Sequence, residues 1–338
     1  SSPWPTSCWG LALSSEPGGS IEAVAGRLGP LCRRDVPIGP LTTYRVGGRA
    51  AIFVEARTVG DLETVRDALS GGEVPVLVIG KGSNLLVSDS GFRGLAVTLA
   101  TSSPSDFCDL AIEDTGDAAV LARAGGALPM AVLARRCVEA GALGLEWAVG
   151  VPGSLGGAVR MNAGGHGCDI AGCLVSYIWM DLLSPAQGEG GLAELAPSYR
   201  RTSIGEGQVV LGAELGALRG DPGQGRARLS QIVRWRREHQ PGGSNAGSVF
   251  TNPAQASAGA LIEAAGAKGL REGTAVVSHK HANFIQADRG GSADDVARLM
   301  GRVAALVYQS HGVELTPEVV MVGFGDKFAD RFDDTEAQ

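Results

Sequence analysis

The stretch between residues 146 and 165, EWAVGVPGSLGGAVRMNAGG, is the part of the sequence best suited to hold a ligand. Six of its twenty residues are glycine, and Pro152 fixes one backbone angle among them. Glycine costs about 1 kcal/mol per residue in a helix interior, so an ordinary helix or strand is not predicted here. The stretch does let backbone N–H groups approach a phosphate or a flat ring, with Ser154 as a further donor. A tight, buried set of turns is the alternative interpretation.

A second glycine-rich site, GKGSN at residues 80–84, follows directly on the short apolar run VLVI. It lacks the GxGxxG spacing of a Rossmann fingerprint. The residues before Lys81 do not form the GxxxxGK[ST] pattern of a Walker A loop, and the chain contains no GxSxG elbow. One such loop is a weak signal. Two of them in one domain favour a bound ligand that carries phosphate.

The cysteines and histidines do not have the spacing of a metal site, and no metal is predicted. The six cysteines form no CxxC pair and are interpreted as reduced, packed thiols of a cytoplasmic protein. His279 and His281 lie two residues apart. A single HxH pair without further ligands is rarely a metal site.

Length and composition predict a globular protein with two or three domains. The chain has 338 residues, of which 44% are hydrophobic and 19% are charged. A net charge of −7 argues against a nucleic-acid surface. No apolar run approaches the roughly 18 residues of a membrane span. The first residues show no basic region followed by an apolar block, so no secretory signal is expected.

Short strands and helices alternate around the two glycine-rich sites and predict an α+β domain that extends to about residue 220. Thr58 and Asp61 have the spacing of a capping box that begins a helix through Leu69. Residues 101–118 are polar and acidic and are predicted to form an exposed insertion. The other predicted elements are strands at 51–56, 76–79, 95–99 and 120–124 and a helix at 128–140.

The last third of the chain has a different composition. GDPGQG at residues 220–225 is predicted to be a hinge or linker, and the arginines of the helix predicted at 228–239 suit either a site or a solvated face. Further elements are a helix at 256–265, a strand entry at SHKHANFI, a helix at 293–309 with an apolar stripe, and a last strand in LTPEVVMVGF. Residues 1–35 are predicted to be loosely ordered apart from a short helix at 21–31, and residues 326–338 to form an acidic tail.

Seven motifs, taken in order, resemble those of the UDP-N-acetylenolpyruvoylglucosamine reductase family. They are TYRVGG, GKGSNLLVSDSGFRG, GVPGSLGGAVRMNAG, YRRT, NAGSVFTNP, KHANFI and LTPEV. The resemblance covers about residues 36–324. The resemblance implies an α+β fold with an FAD-binding domain of the vanillyl-alcohol-oxidase-like (PCMH) type, built from two subdomains at residues 36–222. A C-terminal α+β substrate-binding domain at residues 227–325 would follow it.

The resemblance also implies an activity. The family reduces the enolpyruvyl ether of UDP-N-acetylglucosamine enolpyruvate to UDP-N-acetylmuramate in peptidoglycan synthesis, with non-covalent FAD and with NADPH as co-substrate. Flavin N5 gives hydride to C3, and the charge that develops at C2 and on the carboxylate needs a cation, a hydrogen-bonded acid and a proton donor. By resemblance Ser248 is the proton donor to C2, while Arg200 and Glu318 stabilise the enolate. A cytoplasmic monomer without nucleic-acid or membrane partners is expected.

The family pattern assigns two sets of binding residues. The cofactor-binding residues are Tyr44, Arg45, Gly80, Lys81, Gly82, Ser83, Asn84, Leu85, Gly150, Pro152, Gly153, Ser154, Gly156, Gly157, Ala158 and Arg236. The substrate-binding residues are Tyr199, His239, Asn252 and His281. In such proteins the two glycine-rich loops wrap the diphosphate and the isoalloxazine ring.

The sequence departs from the family pattern at three points. YRRTS in place of YRxS leaves either Arg200 or Arg201 as the catalytic arginine, and Arg200 is favoured because Tyr199 keeps its place. His239 stands where the family often has lysine, and a histidine is only partly charged near pH 7. No tyrosine occurs between Tyr199 and Tyr308, which predicts the subtype without a mobile tyrosine loop.

Two other functions stay open at this point. A different FAD-dependent oxidoreductase on the same scaffold, such as an oxidase of an alcohol or sugar, accounts for the glycine-rich loops but not for the three catalytic positions. A non-catalytic nucleotide-binding protein that kept the fold would take up no FAD.

Overall fold

The computed structural model describes residues 18–71, 74–116 and 118–325. Residues 1–17 and the acidic tail at 326–338 lie outside the described residues. The helices are α1 (Gly18–Leu28), α2 (Val59–Leu69), α3 (Met130–Glu139), α4 (Leu155–Arg160), α5 (Leu192–Leu195), α6 (Pro222–His239), α7 (Ala258–Ala264) and α8 (Ala293–His311). None of the helices in this part of the chain is long and apolar enough to cross a membrane.

The strands are short, as the alternation of apolar and polar residues predicts. They are β1 (Arg33–Pro37), β2 (Arg49–Ala56), β3 (Val76–Ile79), β4 (Leu85–Val87), β5 (Phe92–Leu99), β6 (Leu110–Gly116), β7 (Ala119–Gly125), β8 (Ala142–Leu143), β9 (Gly164–Gly165), β10 (Cys168–Asp169), β11 (Leu174–Asp181), β12 (Gln187–Gly190), β13 (Gln208–Arg219), β14 (Arg271–Glu272), β15 (Ala275–Val277), β16 (Ile285–Ala287) and β17 (Val320–Val322).

The first subdomain is a four-stranded sheet in the order β1-β2-β5-β3, on which α1 and α2 pack. The predicted capping box is confirmed. The Thr58 side chain accepts from the Asp61 N–H, and the Asp61 carboxylate accepts from the Thr58 N–H. The short helix predicted at 21–31 is confirmed, since helical residues run from Gly18 to Leu31, but the residues after it form β1 rather than a loosely ordered segment. The helix is ordered because Val24 and Leu28 bury their side chains in the core of this subdomain.

The second subdomain is built on an antiparallel sheet in the order β12-β11-β13-β7-β6. The predicted exposed insertion at 101–118 is therefore wrong in part, since residues 110–116 form β6. Phe107 is also buried. The acidic composition belongs to an edge strand, where charged side chains are common. Glu113 pairs there with Arg123 of the neighbouring strand at 2.7 Å.

The predicted linker at residues 220–225 is also wrong, because these residues begin α6. Asp221 caps the helix by accepting from the N–H groups of Gly223 and Gln224, and Pro222 occupies the first turn. Glycine and proline mark linkers, but proline also marks the first turn of a capped helix. Helix α6 packs on α3 and buries Ile232 in the core of the second subdomain. We therefore propose that the boundary with the C-terminal domain follows α6.

Asp221→Ala tests this assignment. Loss of the capping carboxylate is expected to lower the free energy of unfolding by about 1 kcal/mol, measured by urea denaturation of the purified protein. Asp67→Ala is the matched control, since Asp67 is an exposed carboxylate on α2 that caps no helix. Equal effects of the two substitutions would mean that residues 220–225 act as a linker after all.

The C-terminal domain packs α7 and α8 on a three-stranded sheet, β14-β15-β16. The apolar stripe predicted for α8 is confirmed as core: Val296, Leu299, Met300, Val303 and Val307 are buried, and Leu306 is partly buried. SHKHANFI forms the turn between β15 and β16, so the strand begins only at its last residue.

The chain then returns to the first subdomain. Strand β17 pairs in parallel with β4, which follows the GKGSN loop, and Val320 lies opposite Leu85. Tyr44 and Leu86 of the first subdomain belong to the same buried cluster as the C-terminal domain. The two glycine-rich loops and the C-terminal domain therefore meet in one region.

Candidate active site

A cavity of about 540 Å³ lies where the two glycine-rich loops meet the C-terminal domain. Of the predicted cofactor-binding residues, the cavity is lined by Gly80, Lys81, Gly82, Ser83, Asn84, Leu85, Gly150, Pro152, Gly153, Ser154, Gly157, Ala158 and Arg236. Gly156 lines a small adjoining cavity of about 60 Å³. The three catalytic candidates, Ser248, Arg200 and Glu318, also line the large cavity.

The two loops face each other and leave backbone donors unused. The Ser83 hydroxyl donates to the Pro152 carbonyl at 3.0 Å and joins the loops. Within the described residues, six backbone N–H groups on the loops have no protein acceptor, those of Lys81, Gly82, Ser83, Asn84, Gly153 and Ser154. Such a concentration of N–H groups binds an anion well.

The glycine at position 82 is required by its backbone and by its neighbours. Its φ is +58°, and a Cβ atom there would lie 2.4 Å from the Leu41 carbonyl oxygen. The left-handed region alone costs a residue with a side chain about 1–2 kcal/mol. The glycine therefore allows the loop to lie against residues 41–43.

Gly82→Ala is expected to displace this loop and to lower the FAD content of the purified protein, measured as the ratio of flavin to protein absorbance. Gly26→Ala is the matched control, since a Cβ at Gly26 of α1 meets no atom within 4 Å. Full flavin content in Gly82→Ala would contradict a cofactor site at this loop.

Arg200 and Glu318 form an ion pair on the cavity wall. Arg200 Nε lies 2.7 Å from Glu318 Oε1, and their side chains are only 27% and 13% exposed. Both terminal nitrogens of Arg200 donate to the Gly164 carbonyl at 3.3 Å. Burial raises the pKa of Glu318, although the Arg200 guanidinium acts in the opposite direction. Arg200 itself has a φ of +58°, an uncommon conformation for a residue with a side chain.

A buried amide holds the segment that carries Ser248. The Asn283 side chain accepts from the Phe250 N–H at 3.0 Å and donates to the Phe250 carbonyl at 2.8 Å. The Val249 carbonyl in turn accepts from the Glu318 N–H at 2.8 Å. Asn84 of the first glycine-rich loop donates to the Glu318 carbonyl at 2.9 Å. These bonds connect the main chain of Glu318 to the residue after Ser248 and to the first glycine-rich loop.

Several predicted site residues lie away from the large cavity. Tyr44 is fully buried in the C-terminal core, and burial raises its pKa. Arg45 is exposed. Tyr199 is 59% exposed and lines a neighbouring cavity of about 470 Å³ together with Arg200. The cofactor roles of Tyr44 and Arg45 and the substrate role of Tyr199 stay predictions.

The other three substrate candidates make local contacts. His239 is exposed and stacked on Trp235, with ring centroids 4.7 Å apart. Asn252 accepts from the Ala258 N–H at the start of α7. His281 Nδ1 accepts from the Asn283 N–H at 3.3 Å, and burial lowers the pKa of His281. None of the three lines the large cavity.

The cavity also contains side chains that the sequence analysis missed. Arg160 lines both cavities, donates to the Gly205 carbonyl at 2.5 Å, and has its pKa lowered by burial. A charged residue inside a glycine-rich ligand stretch was the available signal. His166 and Trp235 also line the cavity and meet edge to face, with centroids 5.1 Å apart. Their elements are distant in sequence, so no pattern pairs them.

Among the described residues, no three His, Cys, Asp or Glu side chains group where they could hold a metal. The cysteines of this part of the chain, Cys32, Cys108, Cys137, Cys168 and Cys173, are free thiols. The large cavity combines N–H donors for an anion, apolar lining residues such as Val151 and Met321, and an ion pair in the same lining as Ser248.

Models of known protein families match both halves of the chain. Residues 239–322 match the model of the UDP-N-acetylenolpyruvoylglucosamine reductase C-terminal domain, and residues 50–189 match an FAD binding domain. The reductase of Synechococcus sp. (strain RCC307) is 41% identical over 294 residues, which are 86% of this chain and 94% of the relative. The reductase of Rubrobacter xylanophilus is 39% identical over 300 residues, 88% of this chain and 97% of the relative.

A solved structure agrees with these matches. The crystal structure of UDP-N-acetylenolpyruvylglucosamine reductase from Thermus caldophilus is 31% identical, with a TM-score of 0.71, over 85% of this chain and 97% of that chain. The predicted fold class, an α+β FAD-binding domain followed by a C-terminal α+β domain, is confirmed. The chain belongs to the UDP-N-acetylenolpyruvoylglucosamine reductase family.

Proposed function

We propose that this FAD-dependent oxidoreductase reduces the enolpyruvyl ether of UDP-N-acetylglucosamine enolpyruvate to UDP-N-acetylmuramate, with NADPH as the reductant. Family membership supports the enzyme class and its place in peptidoglycan synthesis. One observation carries the finer proposal. Ser248, Arg200 and Glu318, which are far apart in sequence, line the same cavity as both glycine-rich loops.

The residues present fit FAD. A diphosphate suits the six unpartnered N–H groups of the two loops, and a flat ring suits the glycine surfaces between them. Arg236, which lines the cavity and is partly buried, would add positive charge, and its Nε donates to Gln240. Bound FAD supplies hydride transfer between a nicotinamide and the enolpyruvyl double bond.

The protein's own groups handle the charge and the proton of the reaction. Hydride addition at C3 places negative charge on C2 and on the adjacent carboxylate. The Arg200 guanidinium offsets that charge, and Glu318 keeps the guanidinium in place. Burial favours the protonated form of Glu318, and Arg200 favours its carboxylate. When the carboxyl is protonated it can donate a hydrogen bond to the substrate carboxylate, while its Oε1 still accepts from Arg200.

Ser248 is the proposed proton donor to C2. A hydroxyl is a poor acid in water, so the transfer requires a serine held firmly at the carbanion with little competing solvent. The hydrogen bonds of Asn283 to Phe250 support this, since they immobilise the segment immediately after Ser248. The proton is replaced from solvent after product leaves.

We also propose a subtype within the family, a cellular location and an oligomeric state. Only eight residues separate Tyr199 from the start of β13 at Gln208, so the subtype without a mobile tyrosine loop is favoured. NADPH and the enolpyruvyl substrate would enter the same cavity in turn. A cytoplasmic monomer, independent of nucleic acid and membrane, agrees with the free thiols and the net charge of −7.

An anaerobic titration tests the activity. NADPH is added to the FAD-loaded protein until the flavin absorbance bleaches, and UDP-N-acetylglucosamine enolpyruvate follows. Prompt return of the oxidised spectrum, with UDP-N-acetylmuramate as product, is expected. A flavin that stays reduced until oxygen enters would identify an oxidase on the same scaffold instead.

A further inference from the structure

A second large cavity, of about 530 Å³, lies on the surface between α3 and α6. Apolar side chains line it from both helices and from the segment before Gly150. We call it the arginine groove, lined by Arg135, Val138, Glu139, Val149, Arg226, Leu229, Ser230, Val233, Arg234 and Arg237. At 3.6 residues per turn, its α6 residues lie on the side of the helix opposite Trp235, which lines the active-site cavity.

The groove begins where the two helices approach closely. A Cβ atom at Gly225 would lie 2.7 Å from side-chain atoms of both Val138 and Leu143. Glycine therefore lets α6 start against α3. Along the helix from this point, Leu229 and Val233 are only partly buried and pack against the second-subdomain core without being covered by it.

The arginines of the groove are not paired with carboxylates. Within residues 18–325 as far as they are described, no side chain of Arg135, Arg226, Arg234 or Arg237 forms an ion pair, although ion pairs are common elsewhere on this surface. Arg135 makes one bond, to the Ala131 carbonyl of its own helix. Glu139 is the only acidic residue of the groove. Four unpaired guanidinium groups in a chain of net charge −7 indicate an anionic partner.

The dimensions of the groove restrict what that partner can be. Arg226 and Arg237 are eleven residues apart on one helix, a distance of about 16 Å at 1.5 Å per residue. One phosphate or carboxylate cannot reach both. The apolar floor has no aromatic ring on which nucleic-acid bases could stack. A concave surface also fits poorly on a flat bilayer.

We propose that the arginine groove binds an acidic amphipathic helix of a partner protein. Leucine or phenylalanine side chains spaced three and four residues apart would cover Leu229, Val233 and Val138, and flanking carboxylates would pair with the arginines. Such a helix needs about three turns to span the arginines of α6. The groove lies outside the cavity of the proposed reaction, so the interaction does not depend on that function.

A defined peptide tests the proposal on the FAD-loaded full chain. The probe is a fluorescein-labelled 16-residue peptide with leucine at positions 2, 5, 6, 9, 12 and 13 and glutamate or alanine elsewhere. We expect saturable binding by fluorescence anisotropy that weakens as salt rises from about 50 to 300 mM. The double substitution Arg234→Glu with Arg237→Glu should weaken binding at least about 10-fold, and Leu229→Ser should weaken it without changing the salt dependence.

Arg228→Glu is the matched control, since Arg228 is exposed on α6 but lies outside the groove. It should leave affinity within about twofold. All variants should keep flavin content, which reports an intact fold. The proposal is overturned if Arg228→Glu weakens binding as much as the groove variants do. It is equally overturned if the same peptide, with two central residues replaced by proline so that it cannot form a helix, binds as tightly.

Other occupants of the groove would give different results. A 16-base-pair DNA duplex or phosphatidylglycerol vesicles that bind more tightly than the peptide, with the same dependence on Arg234 and Arg237, would replace the helix by a nucleic acid or a membrane. A concentration-dependent dimer in sedimentation velocity that the groove substitutions abolish would identify a second copy of this chain.

Discussion

Ser248→Ala is expected to take up FAD and to accept hydride from NADPH at the wild-type rate, but to reduce the enolpyruvyl substrate about 10²–10⁴-fold more slowly. The substitution removes the only hydroxyl proposed to deliver the proton to C2. It leaves the Asn283 bonds to Phe250 and the Arg200–Glu318 pair intact. Stopped-flow absorbance of the flavin measures the two half-reactions separately.

Ser310→Ala is a matched control, because Ser310 is an exposed serine on α8 that bonds only to the Leu306 carbonyl of its own helix. It should change neither half-reaction. A Ser248→Ala enzyme that is slow with NADPH as well would indicate damage to the cavity rather than loss of an acid. An enzyme of full activity would move the proton donor to another group.

Arg200→Met is expected to lower the rate of substrate reduction by about 10²–10³-fold, since a cation facing the developing charge is lost. The buried Glu318 carboxylate also loses its partner. The raised pKa of Glu318 should therefore rise further, because the guanidinium no longer opposes the effect of burial. The measurement is kcat with saturating substrate, and the flavin content checks the fold.

Arg201→Met is the control that the sequence itself suggests, because the YRRTS run leaves two candidate arginines. The main chain of Arg201 pairs with Ser198, and its side chain does not line the cavity. We expect near wild-type rates. A large loss in Arg201→Met with little loss in Arg200→Met would reverse the assignment.

Glu318→Gln tests the same ion pair through the pH dependence of substrate reduction. In the wild-type chain the raised pKa lets this carboxyl keep its proton at pH values above those of an exposed glutamate. The protonated form is the proposed hydrogen-bond donor, so the rate of substrate reduction should fall as pH rises through that pKa. Glutamine does not titrate. The Glu318→Gln enzyme should therefore have a lower rate, and its rate should not show this fall as pH rises. If the rate of Glu318→Gln still falls over the same pH range, another group is responsible for the titration.

Much of the local structure was predictable because it depends on short-range chemistry. The capping box at Thr58 and Asp61 and the apolar stripe of α8 need only neighbouring residues and one helical period. The glycine-rich loops were recognisable for the same reason. Gly82 has a positive φ angle that residues with a side chain rarely adopt, and a glycine in the sequence already indicates that such an angle is possible.

The errors fell where pairing or packing overrides composition. Residues 110–116 look like an acidic loop, but they complete the edge of a sheet whose other strands lie elsewhere in the chain. GDPGQG looks like a linker, but Asp221 makes it the capped start of α6. The burial of Tyr44 in the same cluster as the C-terminal core is likewise a long-range contact that no local pattern indicates.

By itself, the sequence determined the family, the two glycine-rich loops and the identity of the catalytic candidates, because these depend on residue type and order. Only the tertiary structure decided that Arg200 and Glu318 form a pair, that Asn283 fixes the segment after Ser248, and that His239 lies outside the cavity. It also brought the arginines of α6 beside α3 to form a groove. These are contacts between residues distant along the chain, and burial and long-range hydrogen bonding set them rather than any local pattern.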